Sequence, residues 1–328
     1  MSFISVLFAL LLDQARPLGR GNPIHAAMRS WVGYCSRNLD AGKPLHGWLA
    51  WGLAVGLPSG LALLIYWALT LWVGPPLAVL WSALVLYASL GFRQFSFHFT
   101  EIRDALANDD DALARSLLAQ WQHLDTQSWS RSEIIGRVIE FSVLAAHRHV
   151  FGVLAWFSVL AALGLGPTGA VLYRLAEFVA RYWQHKSQAM AQPASQALQS
   201  NAKTAWHWID GLSARMTVLG FAVVGNFEEA IDGWRRYAAQ TGTDNDGLVL
   251  AATAGAMNIQ LGPVPGVNAP TSAGLAADAS QRPAPELAHL AILVGLVWRA
   301  VVMWVVLLAL LTLARLIEIG RASCRERV

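Results

Sequence analysis

In "YRLAEFVARYW" (Tyr173 to Trp183), Arg174, Glu177 and Arg181 follow one another at i, i+3 and i+7. On a helix that spacing places them on one face. Two guanidiniums steadied by one carboxylate can grip a phosphate, which favours planar, bidentate donors. The same ladder also suits a juxtamembrane ion pair beside lipid headgroups. A second face runs through Arg137, Glu140, Leu144 and His147 and leads into an apolar stretch. Polar groups at such a depth are costly, so they serve a site or pair with each other. His147 and His149 stand at i, i+2, on different helix faces, which makes them a poor metal chelate; they read as structural or interfacial histidines. Arg299 lies in an apolar run between Trp298 and Trp304 and must face a partner, water or the bundle interior. Glu140 and Glu177 are its candidate partners.

Two polar stretches read as helix starts. "NDDDALAR" (Asn108 to Arg115) puts acids where they oppose the helix dipole. In "TDNDGLVLAATAGAMNIQLG" (Thr243 to Gly262), the turn is followed by a helix with Asp246 as its N-cap. Ala251 with Gly255, and Ala252 with Ala256, let a second helix approach closely. Leu261 and Gly262 stop it. No phosphate-loop, dinucleotide, zinc-protease or serine-hydrolase motif is present in the sequence.

The elements that must carry these residues belong to a membrane. The chain of 328 residues is 55% hydrophobic and 14% charged, against about a quarter charged in soluble domains. A formal charge of +3 gives no case for nucleic acid. Uncharged runs at 48–73 and 75–92, split by the turn at Gly74 to Pro76, are each long enough to cross a bilayer, with Pro58 kinking the first. The run at 150–183, broken by "GLGPTG", is a hairpin or one kinked span, and arginine placement favours the hairpin. A weak run covers 206–226 and a clear one 288–316. The segment Ser2 to Leu12 reads as a buried or membrane-dipping helix rather than a signal peptide. Between the hairpins, 93–149 reads as amphipathic helices joined at Asn108 to Asp111, with Leu113, Leu117 and Trp121 on one face and Ser130 with Glu133 as a capping box. Lys186 to Ser200 and 263–286 read as loops, the latter flexible. Residues 318–328, "EIGRASCRERV", match the translation of a common sequencing adaptor and are set aside as a tag would be, leaving 1–317 as one domain and Cys35 as its single cysteine. The expectation is an all-α, polytopic integral membrane protein, with an amphipathic helical polar segment between membrane hairpins. No inverted repeat suggests a transporter.

Several short stretches, in order, resemble the CobD/CbiB family of membrane proteins of cobalamin biosynthesis. Asn245, Gly247 and "AGAMNIQLG" (Ala254 to Gly262) are similar to its "N-x-G" turn and "AGALG-x-x-LGG". "NPIH" (Asn22 to His25) resembles its "PHPV", and "FRQFSFH" (Phe92 to His98) its "LRSLLRH". "LDT" (Leu124 to Thr126), "IE" (Ile139, Glu140), "LYR" (Leu172 to Arg174) and "SAR" (Ser213 to Arg215) resemble its "RDT", "IES", "LYR" and "PAR".

The resemblance implies an ATP-dependent amide ligation of an aminopropanol phosphate to a cobyric acid, with magnesium, in the bacterial inner membrane. It implies Glu140 and Asp125 as metal or substrate ligands and Arg174 and Arg215 as phosphate binders. Asn245 and Gly247 would form an anchoring turn, and Glu177 and His98 would line the substrate site. Membrane lipid and a corrinoid, or another membrane or cytoplasmic protein, are the implied partners. The chain departs from the family where its acids lie: "LAAHRHV" replaces "ENLSDG" after "IES", and Leu250 stands at an acidic position. The related AmpE branch, non-catalytic and linked to signalling, also lacks those acids and is the alternative.

Overall fold

The computed structural model describes residues 2–15, 23–122, 125–189, 194–241, 244–261 and 282–325. Helices make up the architecture, and no strand occurs among the described residues. Among the described residues, three helical stretches are long and apolar enough to cross a membrane: Pro44–Val73, Arg131–Ala162 and Leu287–Ala314. The window that defines the first is only 28% buried within the protein. Leu64, Leu71 and Trp72 lie open on its surface. Large apolar side chains are costly in water, so a lipid phase is what suits them. The chain is thus an all-α membrane protein. It divides into two compact units, Met1–Leu90 with Val153–Trp206 and Val301–Val328, and Gly91–Gly152 with His207–Ala300.

In the first unit, α1 (Ser2–Ala15) packs on α5 (Pro75–Ser89), while α2 (Pro23–Leu39) packs on α3 (Pro44–Trp51). A π-turn at Gly52–Gly56 joins α3 to α4 (Leu57–Ala68), and a second, Leu69–Val73, ends the stretch. Pro58 explains the first irregularity. It has no N–H to give to Ala54 four residues back, and Trp31 Nε1 donates to that carbonyl instead, at 3.2 Å. Proline also opens α5 at its first turn, where a missing N–H costs nothing. At 15 residues α5 is shorter than the roughly 20 a perpendicular span needs.

The apolar run starting at 150 is the second half of a continuous helix, α8 (Arg131–Ala146), a π-turn and α9 (Gly152–Ala162). The chain then turns through 163–167 into α10 (Thr168–Ala189), which packs on α2, α4 and α5. Gly166 takes φ +57° there, and a Cβ on it would collide with the ring of Tyr66. α10 runs to Ala189 and α11 (Gln196–Val224) begins soon after. Much of the stretch 186–200, expected as a loop, is therefore helix. Alanine and glutamine are good helix formers, and their composition misled.

In the second unit, α6 (Phe92–Ala107), α7 (Asp111–Gln122) and α8 pack on one another. Ser130 and Glu133 form the expected capping box. The face of α7 is one position off the expectation: Ala114 and Leu118 are buried, while Leu113 is 47% exposed. α12 (Phe227–Thr241) and α13 (Asn245–Met257) form a tight pair, and α13 also packs on α8. The final helix, α14, is Leu287–Arg325. The expected loop 263–286 lies mostly outside the described residues, as do Leu124 and the last three letters of the adaptor-like tail.

Candidate functional site

The polar chemistry of the second unit gathers where α8, α11 and α13 carry it. On α8, Arg137 and Glu140 pair at 2.5 Å, both buried, as their i, i+3 spacing allows. Nε of Arg137 is buried with no hydrogen-bond partner. A buried guanidinium with an unused donor is costly, and an anionic or carbonyl oxygen would relieve it.

One turn further on, the helix widens. The amide of Gly152 donates to the carbonyl of His147 in a π-turn, His147–Phe151. Such turns cluster at functional positions because they re-aim a side chain. His147 is fully buried. Its Nδ1 lies 2.9 Å from Thr217 Oγ1 and its Nε2 lies 3.0 Å from Asp210 Oδ1. Thr217 Oγ1 also lies 2.9 Å from the carbonyl of Ser213, which can only accept, so the hydroxyl hydrogen goes there. Its lone pair then receives Nδ1–H. This places one shared proton between Nε2 and Asp210, with the Ser213 hydroxyl 3.2 Å from the same carboxylate oxygen.

At the start of α13, the side chain of Asp244 accepts from the amide of Gly247 at 3.1 Å. The N-cap is thus Asp244 and not Asp246, because Asp246 already lies in the first turn. Asp246 is instead paired with Arg148. Asn245 is 7% exposed, and its Nδ2 donates to the carbonyl of His207 on α11 at 3.0 Å. Arg215 Nη1 donates to the carbonyl of Gly211 at 2.7 Å. A Cβ added to Gly211 would meet Arg215 Nη1 at 3.1 Å and Asn245 Oδ1 at 3.8 Å, so these two side chains flank one spot on α11. Gly247 has no room for a side chain: a Cβ there would run into the phenol of Tyr237. The helix ends at Met257 with Asn258 in the left-handed conformation. Asparagine tolerates that conformation, so the stop comes before Leu261 and Gly262. The small residues act as expected: Gly255 meets the backbone of Glu229, and Gly233 meets the carbonyl of Ala251.

The structure therefore brings Arg215, Asn245 and Gly247 together. Glu140 is turned to Arg137. Asp125 is exposed, and its Oδ1 accepts from the amide of Gln127 in its own turn. His98 lies 3.6 Å from Glu101 and stacks on Trp121, which meets Phe141 edge-on. In the first unit, Glu177 accepts from Arg174 at 2.8 Å and from Arg181 at 3.0 Å, completing the ladder read from spacing. Arg299 is exposed, and its Nε donates to the carbonyl of Gly295 on its own helix. Of the two carboxylates considered for it, Glu140 is held by Arg137, and Glu177 by Arg174 and Arg181. Sequence reasoning missed the contacts of His147 with Asp210 and Thr217, which span 63 and 70 residues. The signal that remained was an aspartate inside a weakly apolar helix.

Magnesium does not fit a site built from protein alone. Among the described residues no three histidine, cysteine, aspartate or glutamate side chains converge as a metal would need. Glu140 is paired with Arg137, while one oxygen of the exposed Asp125 accepts from the amide of Gln127.

The family model described as CobD/Cbib protein matches residues 6–267. The cobalamin biosynthesis protein CobD of Chromobacterium violaceum is 31% identical over 191 residues, covering 57% of each chain. That of Stutzerimonas stutzeri is 28% identical over 314 residues, covering 93% of this chain and 96% of its own. That of Leptospira interrogans is 29% identical over 193 residues, 57% of this chain and 58% of its own. No solved structure matches this chain.

Proposed function

Since this chain belongs to the CobD/CbiB family, we propose that it serves cobalamin biosynthesis as a multi-pass protein of the bacterial inner membrane. The reaction we assign is a synthase-like amide ligation of an aminopropanol phosphate to a cobyric acid carboxyl. One observation carries this reading. Asn245 and Gly247, in the stretch that most resembles the family, are built into a buried junction beside Arg215 rather than left on a surface loop. A guanidinium next to a fixed amide suits the phosphate or carboxylate oxygens of such substrates. The unused donor of Arg137 beside Glu140 is a second point of anion contact. His98 and Asp125 are assigned to the substrate entrance, and ATP supplies the carboxyl activation when bound. Arg174, held by Glu177 in the first unit, is assigned as an anion site without a part in the ligation.

The second reading is a non-catalytic, AmpE-like signalling protein. The absence of converging acids among the described residues favours it. The two readings separate in a bacterial strain lacking the family enzyme. Under the synthase reading this chain restores cobinamide formation, and Arg215→Ala removes the rescue while membrane expression persists. No rescue by well-expressed wild-type protein leaves the signalling reading.

A further inference from the structure

α11 (Gln196–Val224) is not one of the three stretches whose composition suits a membrane crossing. Its polar residues lower its average, but they lie on the inside. Asp210, Ser213 and Thr217 are 1%, 0% and 2% exposed. Trp208, Leu212, Leu219 and Val223, at i, i+4, i+11 and i+15, share the opposite face and are 75%, 40%, 45% and 62% exposed. A helix that faces water shows the reverse polarity. The outward leucines of the crossing stretch Pro44–Val73 stand out to a similar degree: Leu57, Leu61 and Leu64 are 50%, 54% and 63% exposed.

Depth decides what meets that stripe. His147 lies near the middle of the 32-residue stretch Arg131–Ala162. Crossing the hydrocarbon takes about 20 residues, and every window of that length within this stretch contains His147. Its ring lies 3.0 Å from Asp210 and 2.9 Å from Thr217, so this part of α11 lies at the same depth. Four residues beyond His147 and Thr217, Phe151 and Phe221 meet edge-on with ring centroids 5.3 Å apart. The two helices therefore run side by side in the same direction. All these contacts lie within the second unit. An aspartate and a histidine that face each other inside the protein are what a membrane segment requires of such groups. The one charge between Leu212 and Leu219 on the outer face, Arg215, folds back along its own helix, and its Nη1 donates to the carbonyl of Gly211. Its aliphatic stem is what it adds to the apolar stripe.

We propose that α11 crosses the membrane beside α8 over 206–224, with Trp208, Leu212, Leu219 and Val223 against lipid acyl chains. A second copy of the chain suits this face poorly. A stable interface takes roughly 20–30 residues a side, and the stripe offers four apolar side chains. The placement concerns the surroundings of the helix, so it does not depend on the ligation assigned to Arg215 and Asn245.

The test is nitroxide labelling of the full chain in phosphatidylcholine–phosphatidylglycerol vesicles, in a Cys35→Ala, Cys324→Ala background. Single labels go on Leu212→Cys, Leu219→Cys and Val223→Cys, with Lys203→Cys and Glu228→Cys, both at exposed positions, as controls. Collisions with molecular oxygen, which concentrates among acyl chains, are compared with collisions with a water-soluble nickel chelate. The three stripe labels should favour oxygen severalfold more than the two controls do. The labels replace outward side chains, so the variants should unfold at the temperature of the unlabelled protein; one that does not is replaced by Trp208→Cys. A preference for the nickel chelate at Leu212→Cys and Leu219→Cys puts the stripe in water and overturns the proposal. So does dipolar broadening at Leu219→Cys that disappears on dilution with unlabelled chain, since a second copy would then cover the face.

Discussion

The Arg174, Glu177 and Arg181 ladder of the first unit and the His147, Asp210 and Thr217 network of the second are both polar, yet they differ in kind. The ladder is intrahelical and one rung is open: Arg181 is 51% exposed, while Glu177 is 5% exposed. The network joins two helices across more than 60 residues, and its His147 and Asp210 side chains are 0% and 1% exposed. Water screens an open rung, and a helix would hold its shape without it. A sealed pair has no solvent to fall back on, so losing one member strands the other. The difference separates charges that solvent screens from charges that fix the fold.

The largest effect belongs to the sealed pair. Asp210→Ala leaves His147 without its carboxylate and should cost about 3–5 kcal/mol. In detergent this reads as a large drop in apparent unfolding temperature and poor recovery of monodisperse protein. A near-neutral Asp210→Ala would show that water or another group reaches His147. Next comes the junction beside that network. Gly247→Ala puts a methyl group into the phenol of Tyr237. It should cost about 1–3 kcal/mol through overpacking, with the hydrogen bond from Asn245 to His207 disturbed and rescue of cobinamide formation lowered. The paired change Gly247→Ala with Tyr237→Leu should recover part of the stability.

The open rung should respond far less. Arg181→Ala removes a half-exposed guanidinium and should change stability by no more than about 1 kcal/mol. If Arg181→Ala and Asp210→Ala proved equally damaging, the contrast between the two regions would collapse.

The contrast also marks what could be read from the sequence. Spacing along one helix gave the ladder, the Ser130 capping box and the small-faced α13, because each depends on neighbours within a few residues. The all-α, membrane-embedded character followed from long uncharged runs. The partners of His147 did not follow, since no local pattern encodes which helix lies opposite. The N-cap of α13 slipped from Asp244 to Asp246 for a related reason. Both aspartates suit a cap, and what separated them was a distant arginine, Arg148, which pairs with Asp246. The fourfold repeat of Leu113, Leu117 and Trp121 marks one face of α7, but its packing buries the neighbouring stripe of Ala114 and Leu118.

The smallest effect tests the electrostatics of the first unit. His25 is half-buried, and burial, then Arg174, then Arg29, push its proton affinity below the ordinary value. The folded protein thus holds this imidazole neutral at a pH where the unfolded chain, with an ordinary value of about 6.5, already takes up a proton. Between the lowered value and about 6.5 the unfolded state binds more protons, so stability rises with pH. Conversely, the contribution is lost as pH falls below about 6.5. His25→Gln removes this term and should flatten the dependence of unfolding temperature on pH between about 8 and 5.5, by a small amount because solvent reaches the ring. Arg29→Gln should have the same sign and a weaker effect, since Arg29 is the last of the three causes. Parallel pH profiles for the wild type and His25→Gln would mean that neither burial nor the two arginines act on His25.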